Sequence, residues 1–272
     1  MKVQAPSTIF AHMRACGSDA NPIPMSVIYI LWLRQIKRYL RSRSRILGSL
    51  GQPILFLFAL GYGLGPMYEK AGGGNYINFL APGVVSMSIL FTAIFSGIEI
   101  IWDRQFGFLK ETLVAPVPRI QIMIGRTLGG ATVALIQGCI VFLITLVGGF
   151  RPENLALVPA ALCIMFLISL LFTALGTAIA SVLEDFQGFQ LIMNFLVMPL
   201  FFLSGALFPL DNLPSILAII TKLNPLSYGV DALRGSLIGL SHFGMGLDVL
   251  VLVAVTTLFM FLGSYLFSKI QV

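Results

Sequence analysis

The chain alternates long apolar runs with short polar breaks. Six of the runs are long enough to cross a bilayer: Ile46 to Gly65, Phe79 to Ile101, Leu128 to Phe150, Val158 to Leu183, Leu191 to Leu210 and Val249 to Phe267. A hydrocarbon core about 30 Å thick takes about 20 apolar residues as an α-helix. Residues 211–240 follow another rule. They hold two apolar stretches, Ile216 to Leu223 and Leu226 to Leu240, broken at Asn224 and Pro225 and each too short to span. This predicts a re-entrant or outer-surface helical hairpin before the last span, because irregular backbone at membrane depth must be covered by protein or water.

Two of the polar breaks carry helical periodicity of their own. Ahead of the first span, "VIYILWLRQIKRYLRSRSR" sets Arg34, Lys37, Arg38 and Arg41 at helical spacing, with Leu33, Ile36 and Leu40 on the opposing face. That is an amphipathic basic helix suited to the membrane interface, although the same charges also serve as a plain orientation signal. Between spans two and three stands "WDRQFGFLKETLVAPVPR", residues Trp102 to Arg119. Trp102, Phe106, Leu109 and Leu113 follow i, i+4, i+7 and i+11, one stripe of a short helix, and Pro116 and Pro118 then stop it. Periodicity alone leaves two readings open, an interfacial linker or a knob that docks on a cytoplasmic partner.

Composition narrows the class. Of 272 residues, 57% are hydrophobic and 10% charged, where an ordinary soluble domain has about 25% charged. The expected organisation is a cytoplasmic tail, residues 1–25, followed by one integral membrane domain, residues 26–272. The net charge of +6 does not point to nucleic acid, because the basic residues gather at membrane entry points. Six spans put both termini on one side. Thirteen of the 17 Lys and Arg residues fall there, leaving Lys70, Arg151, Lys222 and Arg234 opposite, so the positive-inside rule places the termini and the Trp102–Arg119 segment in the cytoplasm. Cys16, Cys139 and Cys163 suggest no disulfide framework, and the N-terminus shows no apolar core of signal-peptide length. Gly130, Ala134 and Gly138 recur every fourth residue and favour close helix packing.

Candidate chemistry is sparse. His12 and His242 lie outside the spans and no HExxH or nucleophile-elbow pattern occurs, which argues against a membrane enzyme. No GxxxxGK[ST] loop occurs either, so ATP-driven work would need hydrolysis on another polypeptide. Glu99 is the one acidic residue inside a predicted span, with Arg126 as its expected ion-pair partner; an ion-coupled carrier or channel is the competing use of such a residue. Asp231 and Arg234, three apart, are placed to pair on one helix face.

"FGFLKETLVAPVPR" together with "FFLSGALFPLDNLPSILAIITKLNPLSYGVDALRG" resembles the permease subunit of type-2 ABC exporters, in the daunorubicin-resistance and nodulation-factor branches. The resemblance covers most of the chain after its first 25 residues. It implies an all-helical, six-span permease in the cytoplasmic membrane that exports a hydrophobic or amphipathic substrate such as a drug, a lipid or a lipid-linked glycan. It implies a dimer, embedded in membrane lipid, and a separate ATPase subunit carrying ATP and magnesium, with no cofactor on this chain. Trp102, Phe106, Leu109, Glu111 and Leu113 become candidate coupling contacts to that ATPase. Pro209, Asn224, Pro225, Tyr228, Asp231 and Arg234 mark the external hairpin. Met87, Phe91 and Phe95 on span two, with Asn194, Phe195, Met198 and Phe202 on span five, become candidate pathway residues. The chain departs from the family where it reads Arg104–Gln105 in place of an Arg–Glu pair.

Overall fold

The computed structural model describes residues 24–70, 74–108, 117–210 and 214–269. Ten α-helices are found among them: α1 Pro24–Arg41, α2 Arg43–Lys70, α3 Tyr76–Phe95, α4 Ile98–Gln105, α5 Arg119–Val147, α6 Val158–Val182, α7 Phe186–Phe202, α8 Ser215–Leu223, α9 Pro225–Ile238 and α10 Met245–Ser268. No strand occurs among the described residues. Five helical stretches are long and apolar enough to cross a membrane: α2, the α3–α4 rod, α5, α6 with its leading 3-10 turn, and α10.

The rod Tyr76–Gln105 is the hub, with 83% of its most apolar window buried against 17% for α2 and α10. It packs on α2, α5, α6 and α9. The run read as Phe79 to Ile101 is thus longer than expected, and it is interrupted at Ser96 and Gly97, where the amide of Gly97 bonds the Ile94 carbonyl. The interruption lies at the crossing with α6. A Cβ at Gly97 would sit 2.5 Å from the Gly176 carbonyl oxygen, and one at Gly176 would sit 2.5 Å from that of Ile94. Two backbones touch there, which only glycine allows. The expected small-residue stripe has a similar use: Gly130 faces Ser96 and Thr173, and Gly138 faces Ile89 and Met165.

The apolar run Leu191 to Leu210 corresponds to α7, which starts earlier and ends earlier, with 17 residues. Asp185 starts it by accepting from the Gly188 amide at 2.6 Å. At the other end the chain turns through Leu203 and Ser204, and Gly205 takes a positive φ of 73°, a conformation other residues avoid. Outside the helix, Ala206 and Leu207 serve packing: Ala206 is fully buried and approaches Gly83, and Leu207 lies against the core.

The break at Asn224 and Pro225 is where expected. Asn224 caps α9 by accepting from the Leu226 amide, and Pro225 takes the first helical position, whose amide needs no partner. Helix α9 is buried almost throughout and packs on α3, α6 and α10.

Helix α1 corrects the two-faced reading of the basic segment. Leu31 and Tyr39 are buried against α5. The Tyr39 hydroxyl donates to Gln137, and the Trp32 indole donates to Thr132 at 3.0 Å. Leu33, Ile36 and Leu40 form a separate outer apolar face, and the side packed on α5 is a third face that the amphipathic pattern did not show.

The segment after span two also differs from its stripe. Helix α4 ends at Gln105, and Gly107 takes a φ of 79°, so one continuous helix from Trp102 to Leu113 is excluded. The sequence periodicity missed this because a glycine between Phe106 and Phe108 interrupts a helix without disturbing the apolar count.

Candidate coupling face, cavity and external hairpin

At one end of the bundle, α4 is bound on two sides. Asp103 accepts from Arg34 and from Arg126, each at 2.6 Å, and Arg38 stands 3.8 Å away. Glu99 accepts from Arg38 at 3.1 Å and from Arg45 at 2.8 Å. One helical turn separates the two acids on α4 and the two arginines on α1, so the i, i+4 pairs face each other in register. The expected Glu99–Arg126 pair is not formed. Asp103, one turn further along, is nearer to Arg126 and takes its place, while Glu99 is satisfied from α1 and α2.

On its other side α4 is tied to the α6–α7 junction. Arg104 pairs with Glu184 at 3.4 Å and donates to the Leu183 carbonyl, and Gln105 donates to the Glu184 carbonyl. Trp102 stacks on Phe186 with ring centroids 6.3 Å apart. Phe106 is 74% exposed and Phe108 55% exposed, two aromatic side chains just past the end of a well-held helix. Leu109, Glu111 and Leu113 lie outside the described residues. Arg119 donates to the Ser268 carbonyl at 2.7 Å, bringing the start of α5 and the end of α10 to this same end.

The candidate pathway residues do not form one group. Met87, Phe91 and Phe95 line a cavity of about 270 Å³ between α3 and the α1–α2 corner, where Tyr39, Arg45 and Gln52 supply polar atoms. Phe91 and Phe95 stack at 6.3 Å. The α7 set lies elsewhere: Asn194, Phe195, Met198 and Phe202 are all exposed, while Met193, Val197 and Phe201 turn inward. Within one chain the two sets do not face a common space.

At the opposite end the hairpin residues hold the turn after α7. Arg234 donates to the Gly205 carbonyl at 3.0 Å and to that of Phe79 at 3.4 Å, and its guanidinium lies 3.9 Å from the Phe79 ring centre. Burial draws its pKa down to about 10, so it stays cationic at neutral pH. Asn224 donates to the Leu200 carbonyl at 2.6 Å, relieving the carbonyls left open at the end of α7.

Asp231 does not pair with Arg234. Its carboxylate instead accepts from the His242 and Phe243 amides and the Ser241 hydroxyl, and so shapes the turn into α10. Tyr228 donates to the Lys222 carbonyl at 2.8 Å, and its ring meets Phe243. Pro209, Asp231 and Arg234 line a common hollow of about 240 Å³. Pro225 stands at the start of α9. The spacing of Asp231 and Arg234 suggested a local pair, but on this helix both side chains reach to other segments.

Sequence reasoning missed Asp103, Arg34, Arg38 and Arg45 as a cluster. The matching i, i+4 spacing of Glu99/Asp103 and Arg34/Arg38 was the available signal.

An ABC-2 type transporter family model matches residues 26–238. The chain belongs to that family, which is one of membrane transport subunits. It is 30% identical to Nodulation protein J of Rhizobium leguminosarum bv. trifolii over 213 residues, 78% of this chain and 78% of that protein. It is 30% identical to Nodulation protein J of Rhizobium meliloti (strain 1021) over 221 residues, 80% of this chain and 84% of that protein. With Nodulation protein J of Sinorhizobium fredii (strain NBRC 101917 / NGR234) it shares 28% identity over 240 residues, 86% and 90% of the two chains. The protein is a multi-pass membrane permease of the ABC-2 type.

Proposed function

We propose that this chain is the membrane-spanning subunit of an ATP-driven exporter, worked as a dimer by a separate ATPase that docks on the α4 end. The observation that carries this reading is the double attachment of α4: Glu99 and Asp103 tie it to α1, α2 and α5, and Trp102, Arg104 and Gln105 tie it to the α6–α7 junction. A push on exposed Phe106 is delivered to all of these helices at once. Leu109, Glu111 and Leu113, next in sequence, extend the docking contact in this proposal, and ATP and magnesium belong to the partner.

In this proposal α7 is a sixth crossing. Its 17 residues reach about 25 Å, and its ends adjoin the coupling end, through Asp185, and the hairpin end, through Gly205. Both termini are then cytoplasmic in the inner membrane, and α8–α9 form the external, partly re-entrant hairpin. The cavity lined by Met87, Phe91 and Phe95 suits the apolar part of an amphipathic substrate. The exposed α7 face, with Asn194, Phe195, Met198 and Phe202, suits the seam between two copies. An ion-coupled carrier is less well supported, since Glu99 is held by two arginines. The test is copurification. Phe106→Asp combined with Leu109→Asp is expected to abolish association with the ATPase while thermal unfolding of the permease is unchanged; undiminished association would remove the docking assignment.

A further inference from the structure

The charges around α1 do not balance. Four guanidiniums, those of Arg34, Arg38, Arg45 and Arg126, converge on the two carboxylates of Glu99 and Asp103. Arg126 is only 4% exposed, yet its Nε and Nη1 atoms have no hydrogen-bond partner among the described residues. Lys37 and Arg41 add two exposed cations that form no ion pair among the described residues. Such a cluster is short of negative charge, and the deficit opens to the outside. Arg34, Lys37, Arg38 and Arg41 line an open groove of about 620 Å³ together with Ile30 and Leu33.

The groove has an apolar border. Tyr29, Leu33, Ile36 and Leu40 repeat at i, i+4, i+7 and i+11 beside the basic stripe, and Tyr29 and Leu40 are each 57% exposed. Helix α1 thus has three faces: one packed on α5, one cationic and one apolar, half-buried at Leu33 and Ile36 and exposed at Tyr29 and Leu40. A small soluble anion would answer the charge and leave the apolar face in water. A zwitterionic lipid would cover the apolar face and leave the charge excess standing.

We propose that this groove binds an anionic phospholipid, its phosphodiester seated among Arg34, Lys37, Arg38 and Arg41 and its acyl chains along Leu33, Ile36 and Leu40. The lipid supplies the missing negative charge to the cluster that fastens α1 to α4. Its recognition is by charge complementarity on one side and apolar contact on the other.

The full chain in a neutral detergent tests this by native mass spectrometry with added phosphatidylglycerol or phosphatidylcholine. Retention of phosphatidylglycerol at least tenfold over phosphatidylcholine is expected. The double variant Lys37→Gln/Arg41→Gln, which touches no ion pair of the cluster, is expected to weaken that retention about 30-fold, with Arg41→Gln alone showing a smaller loss. Equal retention of the two lipids, undiminished retention by both variants, or displacement of phosphatidylglycerol by an equal concentration of soluble glycerol phosphate would each overturn the proposal.

Discussion

The Arg126 guanidinium meets the Asp103 carboxylate at 2.6 Å, with only 4% of either side chain exposed. Removing one member of a buried pair leaves the other charged and unpaired, at a cost of about 3–5 kcal/mol, whereas replacing both by apolar groups is nearly neutral. Asp103→Asn is therefore expected to lower the thermal unfolding midpoint of the purified chain sharply. Asp103→Leu/Arg126→Met should recover much of the loss. A double variant no better than the single one would show that the cluster, and not the pair, is the unit of stability.

Gly97 and Gly176 make the second close relationship, backbone against backbone. A methyl group at either position must displace a main chain, which side-chain rotation cannot relieve, and overpacking of this kind costs about 1–3 kcal/mol. Gly97→Ala and Gly176→Ala are each expected to destabilise in that range. Gly51→Ala is the control, because nothing lies within 4 Å of its Cβ position, and helix propensity there favours alanine by about 1 kcal/mol. Thermal unfolding in one detergent separates the three.

Five of the six apolar runs were legible as stretches of crossing length, because that length leaves a signature no tertiary contact has to confirm; the sixth, Leu191 to Leu210, is a 17-residue helix followed by a packed turn. The hairpin corner at Asn224–Pro225 was legible for a similar reason, since its cap and its proline act locally. What the sequence did not reveal was which charge meets which. Glu99 and Asp103 differ by one turn, and only the placement of α1 beside α5 decides that Arg126 goes to Asp103 while Arg38 and Arg45 go to Glu99. The same limit applies to Asp231 and Arg234: spacing made them neighbours, but their partners come from residues 79, 205 and 241–243.

Those partners give a distinguishing experiment. If Asp231 and Arg234 worked as a pair, exchanging them would restore what either reversal removed. In this structure Asp231→Arg loses two amide contacts and Arg234→Asp loses two carbonyl contacts, so the swap Asp231→Arg/Arg234→Asp is expected to be at least as unstable as the worse single variant. Thermal unfolding of the four chains measures it, and recovery by the swap would contradict the arrangement.

Exposed Glu184 presents the opposite case to buried Asp103. Its side chain is 81% exposed and its contact with Arg104 is 3.4 Å, a surface pair worth about 0–1 kcal/mol after screening. Glu184→Gln should leave unfolding within that margin. If the α6–α7 junction receives force from α4, transport per ATP hydrolysed by the assembled complex should nonetheless fall, and an unchanged ratio would relieve this junction of a coupling role.

Asp248 is fully buried in the first turn of α10 beside the Asp231 carboxylate, and neither of its own carboxylate oxygens finds a hydrogen-bond donor among the described residues. The helix N-terminus offsets part of the cost of an acidic side chain there, about 0.3–1 kcal/mol. A buried acceptor left without a donor costs about 1–3 kcal/mol, more for an ionised group. The balance is unfavourable, so Asp248→Asn, which keeps the shape and brings its own donors, is expected to raise stability by about 1 kcal/mol. Asp248→Leu, which removes the polar atoms, should do no worse than the native residue. A fall of more than about 1 kcal/mol in the asparagine variant, read by thermal unfolding, would mean that the carboxylate is compensated by a cation or proton that the protein's own side chains do not supply.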